Sequence, residues 1–347
     1  LVSGLIHLWP FREFFIVDPL SQAVIGAALA MSLARKENLG TAGLAGALGG
    51  MVPDLDVLIR SSNDPLLGLV YHRHFTHALV MIPLVGGLTG WLLSLLPKWR
   101  ALRREVVLFA ILGAATHGLL DACTSYGTLL WWPFSHERVA WHMISIIDPI
   151  PTFSALILLL IALKRHSLMF ARSGLVSFVV YLGLCILQRE RASAIQDHLV
   201  TERGHVATRA DVFPSIFNNV VYRSVYERER TFYVDAIRVA WWGGSSVRSG
   251  STLDALDLEA TKTTLQVSSP QRNDLHRFSW FADGYLAALP DGRIGDVRYA
   301  MVPASTVMLW GITLYPNDPQ RHVAYWSGQP VDANERADFM RFVWSGQ

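Results

Sequence analysis

The chain has 347 residues, enough for two domains, and 51% of them are hydrophobic against only 17% charged, where soluble domains usually carry about a quarter charged. A net charge of +2, with no basic stripe interleaved with aromatics, excludes nucleic acid as the expected partner. The apolar excess stops near Gln188, which predicts a polytopic α-helical membrane domain over residues 18–188. A small α+β soluble domain with a mainly antiparallel sheet is expected over 189–347, and an N-terminal extension over 1–17.

Residues 1–17 are apolar but contain Pro10, Arg12 and Glu13. They lack a basic n-region and a small-residue cleavage site, so they read as an extension rather than a signal peptide. Residues 19–34 form a helix candidate, with Asp18 as cap and Pro19 in the first turn. Residues 40–52 are rich in glycine and alanine, the composition that lets helices approach closely in lipid. Thirteen residues rise only ~20 Å, short of a ~30 Å hydrocarbon core. Pro53-Asp54-Leu55-Asp56, at the far end, should therefore be recessed in the bundle. Residues 77–96 and 106–130 are long enough to span, and 151–163 and 175–187 are shorter apolar helices.

Orientation follows from the basic residues. Arg35, Lys36, Lys98, Arg100, Arg103, Arg104, Lys164, Arg165 and Arg172 fall in three connections on one side, which the positive-inside rule makes cytoplasmic. The opposite, periplasmic or extracellular side receives Asp18, Asp54, Asp56, His72, His74, His77, the end of the His117 helix and Asp148, and the C-terminal half follows there. Counting from Glu105, His117 lies ~18 Å and Asp121 ~24 Å along its helix, near the depth where the short second helix ends.

Histidine and carboxylate are ligands of choice for zinc. His117 and Asp121 stand at i, i+4 and leave the same helix face, either as two ligands of one metal or as a hydrogen-bonded pair. The cost of charge inside a span favours function. His72 and His77 flank a loop-to-helix junction as further ligands, and His74 between them is a substrate contact or a solvated bystander. Arg73 clamps an anionic oxygen or pairs with Asp54 or Asp56. Asp148 is a ligand, a partner for a histidine, or the cap before Pro149. The hydroxyls of Thr124, Ser125, Tyr126 and Thr128 line the mouth, and Trp131 and Trp132 read as an interfacial belt. No nucleophile elbow, phosphate loop or dinucleotide fingerprint stands out. The chemistry left is a metal-activated water with a nearby carboxylate to take its proton.

These residues resemble the membrane-bound metal-dependent hydrolases, whose founding bacterial members are LexA-regulated inner-membrane proteins. The matching pieces are Asp18-Pro-Leu-Ser-Gln-Ala-Val-Ile-Gly26, Val52-Pro-Asp-Leu-Asp56, His72-Arg-His-Phe-Thr-His-Ala-Leu79, His117-Gly-Leu-Leu-Asp121 with Thr124-Ser-Tyr-Gly-Thr128, Pro133-Phe-Ser135 and Ile146-Ile-Asp-Pro149. The resemblance implies a multi-pass inner-membrane hydrolase with Asp54, Asp56, His72, His77, His117 and Asp121 at the motif positions. Gln22 stands where short members carry a histidine, and His74 where glycine is common.

Beyond residues 188–203, a polar continuation of the last helix stopped by Gly204, strands are expected at 231–242, 277–289, 297–302 and 306–315. Asp291-Gly292 is a hairpin turn, and 332–344 looks helical. His198, His205, His276 and His322 read as solvated or locally bonded. The expected function is hydrolysis of an ester or phosphoester by a metal-activated water. Asp54, Asp56, His72, His77, His117 and Asp121 hold a divalent ion, with zinc the expected metal, and Asp54 or Asp56 serves the water. Arg73 and Arg138 neutralise an anionic substrate, and the outer-leaflet depth suits a lipid or lipid-linked one. The alternative is a non-catalytic membrane scaffold or regulator, with a structural metal or polar cluster and an outer partner-binding domain.

Overall fold

The computed structural model describes residues 14–328 and 333–346. The expected extension over 1–17 therefore lies largely outside the described residues, as do the Asp18 side chain and Asp332. The chain divides into two compact units. One takes the described residues up to Ile59 together with Tyr71–Cys185; the other takes Arg60–Val70 and the chain from Ile186 onward.

In the helical unit, α1 (Phe14–Leu33) encloses Pro19, so the helix begins earlier than the cap-and-proline pattern predicts. α2 (Leu39–Met51) follows. A 3-10 turn at Val52–Leu58 and the short α3 (Leu67–Tyr71) lead to α4 (Ile82–Ser94) and α5 (Arg103–Ala122). α1, α2 and α5 meet backbone to backbone: a Cβ on Gly113 would stand 2.0 Å from the Gly46 carbonyl oxygen, and one on Gly26 would stand 2.5 Å from the same atom. Small residues are what permit this approach in a bilayer, where packing replaces the hydrophobic effect. Leu84, Leu88, Trp91 and Leu108 remain exposed, as lipid-facing side chains do.

Two expected spans are interrupted. The 77–96 helix is broken at Ala78, whose backbone is extended (ψ 141°), and α4 starts only at Ile82. Leu79–Ser94 makes a 61° bend with Leu67–His77. The 106–130 helix stops at Ala122, because the following chain turns back. The Thr128 and Val139 backbones exchange hydrogen bonds, Leu129 N donates to the Arg73 carbonyl, and Leu79 N donates to the Leu130 carbonyl. After this loop, α6 (Pro149–Arg165) opens with Asp148 as its N-cap, the carboxylate accepting from Ile150 N. Asp148 is thus the helix cap among the three roles its sequence allowed. α7 (Leu168–Glu202) is one helix of 35 residues that includes both the expected 175–187 segment and its polar continuation. Gly204, at φ 65°, ends it in the left-handed conformation that glycine tolerates. Pro97–Ala122 and Leu168–Glu202 are long and apolar enough to cross a membrane.

The second unit is α+β. β1 (Arg209–Pro214), β2 (Val221–Arg228), β3 (Thr231–Val239) and β4 (Ser245–Asp254) form an antiparallel sheet in sequence order. α8 (Leu258–Thr263) and α9 (Pro270–Phe281) precede a second antiparallel sheet of β5 (Leu286–Ala288), β6 (Arg293–Asp296), β7 (Trp310–Thr313) and β8 (Ala324–Ser327), and α10 (Ala333–Ser345) closes the unit. Phe213, Val225 and Phe232 pack on Tyr285, Val297 and Met308, while the opposite face of the first sheet carries Tyr222 and Ile237 against Ala192 of α7.

Two strand expectations are corrected. Residues 277–281 close α9, which Ser269 caps and Pro270 starts and which buries Leu275, Phe278 and Phe281; within 277–289 only Leu286–Ala288 is a strand. Residues 297–302 are irregular, since buried Arg298 turns back to pair with Asp296 and the Phe281 carbonyl. Gly292 (φ 82°) does make the turn between β5 and β6. The segment Arg60–Val70 is fixed in this unit by a two-pronged pair, Arg277 to Asp64 at 2.7 and 2.8 Å.

Candidate metal centre

Three backbone devices bring the polar residues together. Pro53 opens the 3-10 turn after α2, which delivers Asp54 and Asp56. The 72–77 loop winds tightly around Asp56: its Oδ1 lies 2.9 Å from His72 Nδ1, and its Oδ2 accepts from Arg73 N at 2.9 Å and Thr76 Oγ1 at 3.0 Å. Arg73 takes φ 61°, uncommon for a residue with a side chain, and these bonds hold it there. The third device is α5, which carries His117 and Asp121 one turn apart on its buried face.

Four ligand atoms converge. His77 Nε2 and His117 Nε2 are 2.8 Å apart. Asp54 Oδ1 lies 3.4 Å from each, and Asp121 Oδ2 lies 3.1 Å from His77 Nε2 and 3.6 Å from His117 Nε2. A tetrahedral nitrogen and oxygen set around zinc has edges of roughly 3.3–3.6 Å, from ligand distances of about 2.0–2.2 Å; the two Asp54 edges and the longer Asp121 edge match it, and the His77 contacts to His117 and Asp121 are shorter. His77, His117 and Asp121 are at most 2% exposed. Asp54, Asp56 and His72 form a second group sharing Asp54.

The tautomers follow from the acceptors around each ring. His117 Nδ1 faces the Gly50 carbonyl oxygen at 2.5 Å, so Nδ1 carries the proton. His77 Nδ1 lies 3.0 Å from Thr76 Oγ1; that hydroxyl already gives its proton to Asp56, so it accepts from the ring. With both rings neutral the two Nε2 lone pairs point at each other and at two carboxylate oxygens, and with one ring protonated its Nε2–H is donated to the other Nε2 at 2.8 Å. Three carboxylates stand against a single guanidinium, Arg73, whose Nε lies 3.2 Å from Asp121 Oδ2. Two fully protonated rings would set N–H against N–H at 2.8 Å. A divalent cation answers both the lone-pair repulsion and the buried negative charge, whose desolvation is otherwise expensive. The donor set fits such an ion.

Around it, Gln22 is wholly buried and donates from Nε2 to Asp121 Oδ1 at 2.8 Å. The position where the resemblance put a ligand in doubt thus orients a carboxylate. Arg73 also donates to Thr124 Oγ1 at 2.8 Å, and its guanidinium lies over the Tyr126 ring at 4.8 Å, with that of Arg138 near the same ring at 5.4 Å. Arg138 reaches the Gly127 carbonyl at 2.7 Å. His74 stands apart, among the rings of Tyr71, Phe75 and Trp132. Of these partners, the Gly50 carbonyl carries no signal in sequence, because any residue supplies a carbonyl.

A further group, Asp64, Asp274 and His322, lies in the α+β unit. There Arg277 already bonds to both carboxylates and His322 Nδ1 lies 2.8 Å from Asp274 Oδ2, so the guanidinium supplies the positive charge.

A family model described as "YdjM inner membrane protein" matches residues 17–192, the stretch that holds every residue of this centre. No curated protein and no solved structure matches the chain.

Proposed function

The chain belongs to the YdjM inner-membrane protein family, and on that footing we propose that it is a metal-dependent hydrolase acting on an ester or phosphoester of a lipid or lipid-linked substrate. The observation that carries the reading is the head-on approach of His77 Nε2 and His117 Nε2 at 2.8 Å, with both Nδ1 atoms occupied elsewhere. Asp54, His77, His117 and Asp121 would hold the ion, with zinc the expected metal. When bound, a divalent ion supplies Lewis acidity and a water acidified toward neutral pH.

The chain's own residues have separable tasks. His72 is turned by its Nδ1 bond to Asp56, which leaves Nε2 able to take a proton from attacking water and return it to the leaving oxygen. Asp56 then serves as the positioning group for His72 and His77 rather than as a ligand. Arg138, near the Tyr126 ring, would bring positive charge suited to an anionic head group, while Arg73 is held against Asp121. The basic connections around Arg35, Lys98 and Lys164 support a cytoplasmic assignment for their side, with the α+β unit outside.

The Arg73–Asp121 pair favours one other reading, a polar plug inside a scaffold protein. Metal analysis of the purified chain separates the two. The hydrolase reading expects stoichiometric zinc that is lost from His117→Ala and Asp121→Ala, with phosphoester or ester cleavage lost in parallel. A folded wild-type protein that neither retains nor rebinds a divalent metal would remove the basis for catalysis.

A further inference from the structure

Among the exposed apolar side chains of the α+β unit, three aromatics share one end. Trp242 is 91% exposed, Trp344 77% and Phe217 56%. Phe217 lies in the β1–β2 connection and Trp242 in the β3–β4 connection. The two connections adjoin: Val239 N donates to the Val220 carbonyl, and Trp241 Nε1 donates to Asn219 Oδ1 at 3.4 Å. Arg238, from the end of β3, donates to the carbonyls of Val343 and Trp344 at the end of α10.

This end of the sheet is also where α7 changes character. Met169, Val176, Val179, Val180, Ile186 and Leu187 are exposed apolar residues, and the twenty positions from Leu168 to Leu187 rise ~30 Å, one hydrocarbon thickness. The next residue, Gln188, is fully buried and donates to the carbonyls of Asn219 and Val239. The two aromatic-bearing connections are therefore hydrogen-bonded to the helix at the level where its lipid-facing run stops. Phe217 holds φ 66°, a conformation costly for an aromatic residue and ordinary for asparagine or glycine, and it spends that cost presenting its ring outward.

We infer that Phe217 and Trp242, with Trp344 beside them, are anchors that dip into the lipid head-group interface and seat the α+β unit on the bilayer surface. Aromatic rings with one apolar and one polar aspect favour that depth. Continuity with the lipid-facing run of α7 selects lipid over a protein partner. The inference is independent of the metal centre.

The test uses the full chain in nanodiscs of phosphatidylethanolamine and phosphatidylglycerol. Spin labels are attached after Phe217→Cys, Trp242→Cys or, as control, Val206→Cys. Val206 is 83% exposed and follows the far end of α7, whose rise from Gln188 to Glu202 is ~21 Å. Both native cysteines are buried, and the unsubstituted chain measures their background labelling. At 217 and 242 the accessibility to oxygen relative to a water-soluble nickel complex should exceed that at 206 several-fold. Ratios at 217 and 242 equal to that at 206 would overturn the inference, as would protection from both reagents, which points to a protein contact instead.

Discussion

Gly113→Ala tests how closely the metal centre depends on helix packing. The added methyl carbon would stand 2.0 Å from the Gly46 carbonyl oxygen, where ordinary contact begins at 3.4 Å, so α2 and α5 must separate by about 1 Å or more, and such overpacking typically costs about 1–3 kcal/mol. His117 lies one turn beyond Gly113, and Gly50 one turn beyond Gly46. The same displacement stretches the 2.5 Å contact of His117 Nδ1 with the Gly50 carbonyl to about 3.5 Å, at or past the limit of a hydrogen bond. Losing such an outer partner of a ligating histidine typically costs about 10–100-fold in metal affinity. Thermal unfolding of the apo protein and a competitive zinc titration, both in nanodiscs, read the two effects separately. Gly40→Ala is the control: nothing lies within 4 Å of its added carbon, and alanine there should be neutral or stabilising by up to about 1 kcal/mol. If Gly113→Ala unfolds earlier yet binds zinc as tightly as the parent, the Gly50 carbonyl does not tune the site and the reasoning fails. Unchanged unfolding would refute the close approach itself.

Other outcomes follow from single contacts. His72→Ala should keep its metal while turnover falls by about 10²–10⁴-fold, the usual range for a lost general acid–base group; loss of the metal would make His72 a ligand instead. Asp56→Asn turns an amide donor toward groups that themselves donate, so zinc affinity should drop by about 10–100-fold, measured by the same titration. Arg277→Ala should raise hydrogen exchange in the loop around Asp64. The carboxyl of Asp64 is held below the ordinary aspartate value chiefly by its bond to Arg277. The contribution of this tether is therefore present above the unfolded pKa, about 3.9, and lost as pH falls through the lower folded value. Parent protection factors there should be flat above about pH 5 and fall only in stronger acid, and a decline near neutrality would contradict the assignment. A reporter fused after Gln347 should behave as external, and a cytoplasmic signal would reverse the proposed sides.

Much of the membrane region was readable because its constraints are local. The i, i+4 spacing fixes His117 and Asp121 on one face, and the short glycine-rich stretch ends where Asp54 and Asp56 are needed. The breaks were only partly marked: Ala78 stands where polar sequence gives way to an apolar run, Cys123 is followed by Thr124-Ser125-Tyr126-Gly127-Thr128, and the return of residues 128–130 onto Arg73 and Leu79 explains why helix stops there. Gln22 looked like a missing ligand, and its bond to Asp121 appears only when α1 and α5 are brought together. In the C-terminal half, β2 carries little strand signature because six successive residues, Val221 to Tyr226, are all buried. Both sheet faces are covered, which erases the alternation that marks a half-exposed strand. The 277–289 error has the opposite origin: aromatic residues suited to a strand instead lie on the inner face of a capped helix.

The Asp64–Arg277 pair joins positions 213 residues apart, and this separation becomes a delay during synthesis. Arg277 leaves the ribosome about 10–40 s after Asp64 at the usual 5–20 residues per second. Throughout that interval the loop around Asp64 lacks this ion pair, while α1, α2 and α5 follow one another early enough to pack. The ligands on α5 are therefore in place before the loop joining Asp56 to His72 acquires its tether. A nascent chain halted before Arg277 should accordingly carry the helical bundle but leave this loop open to a protease, and release of a longer chain that includes α9 should close it.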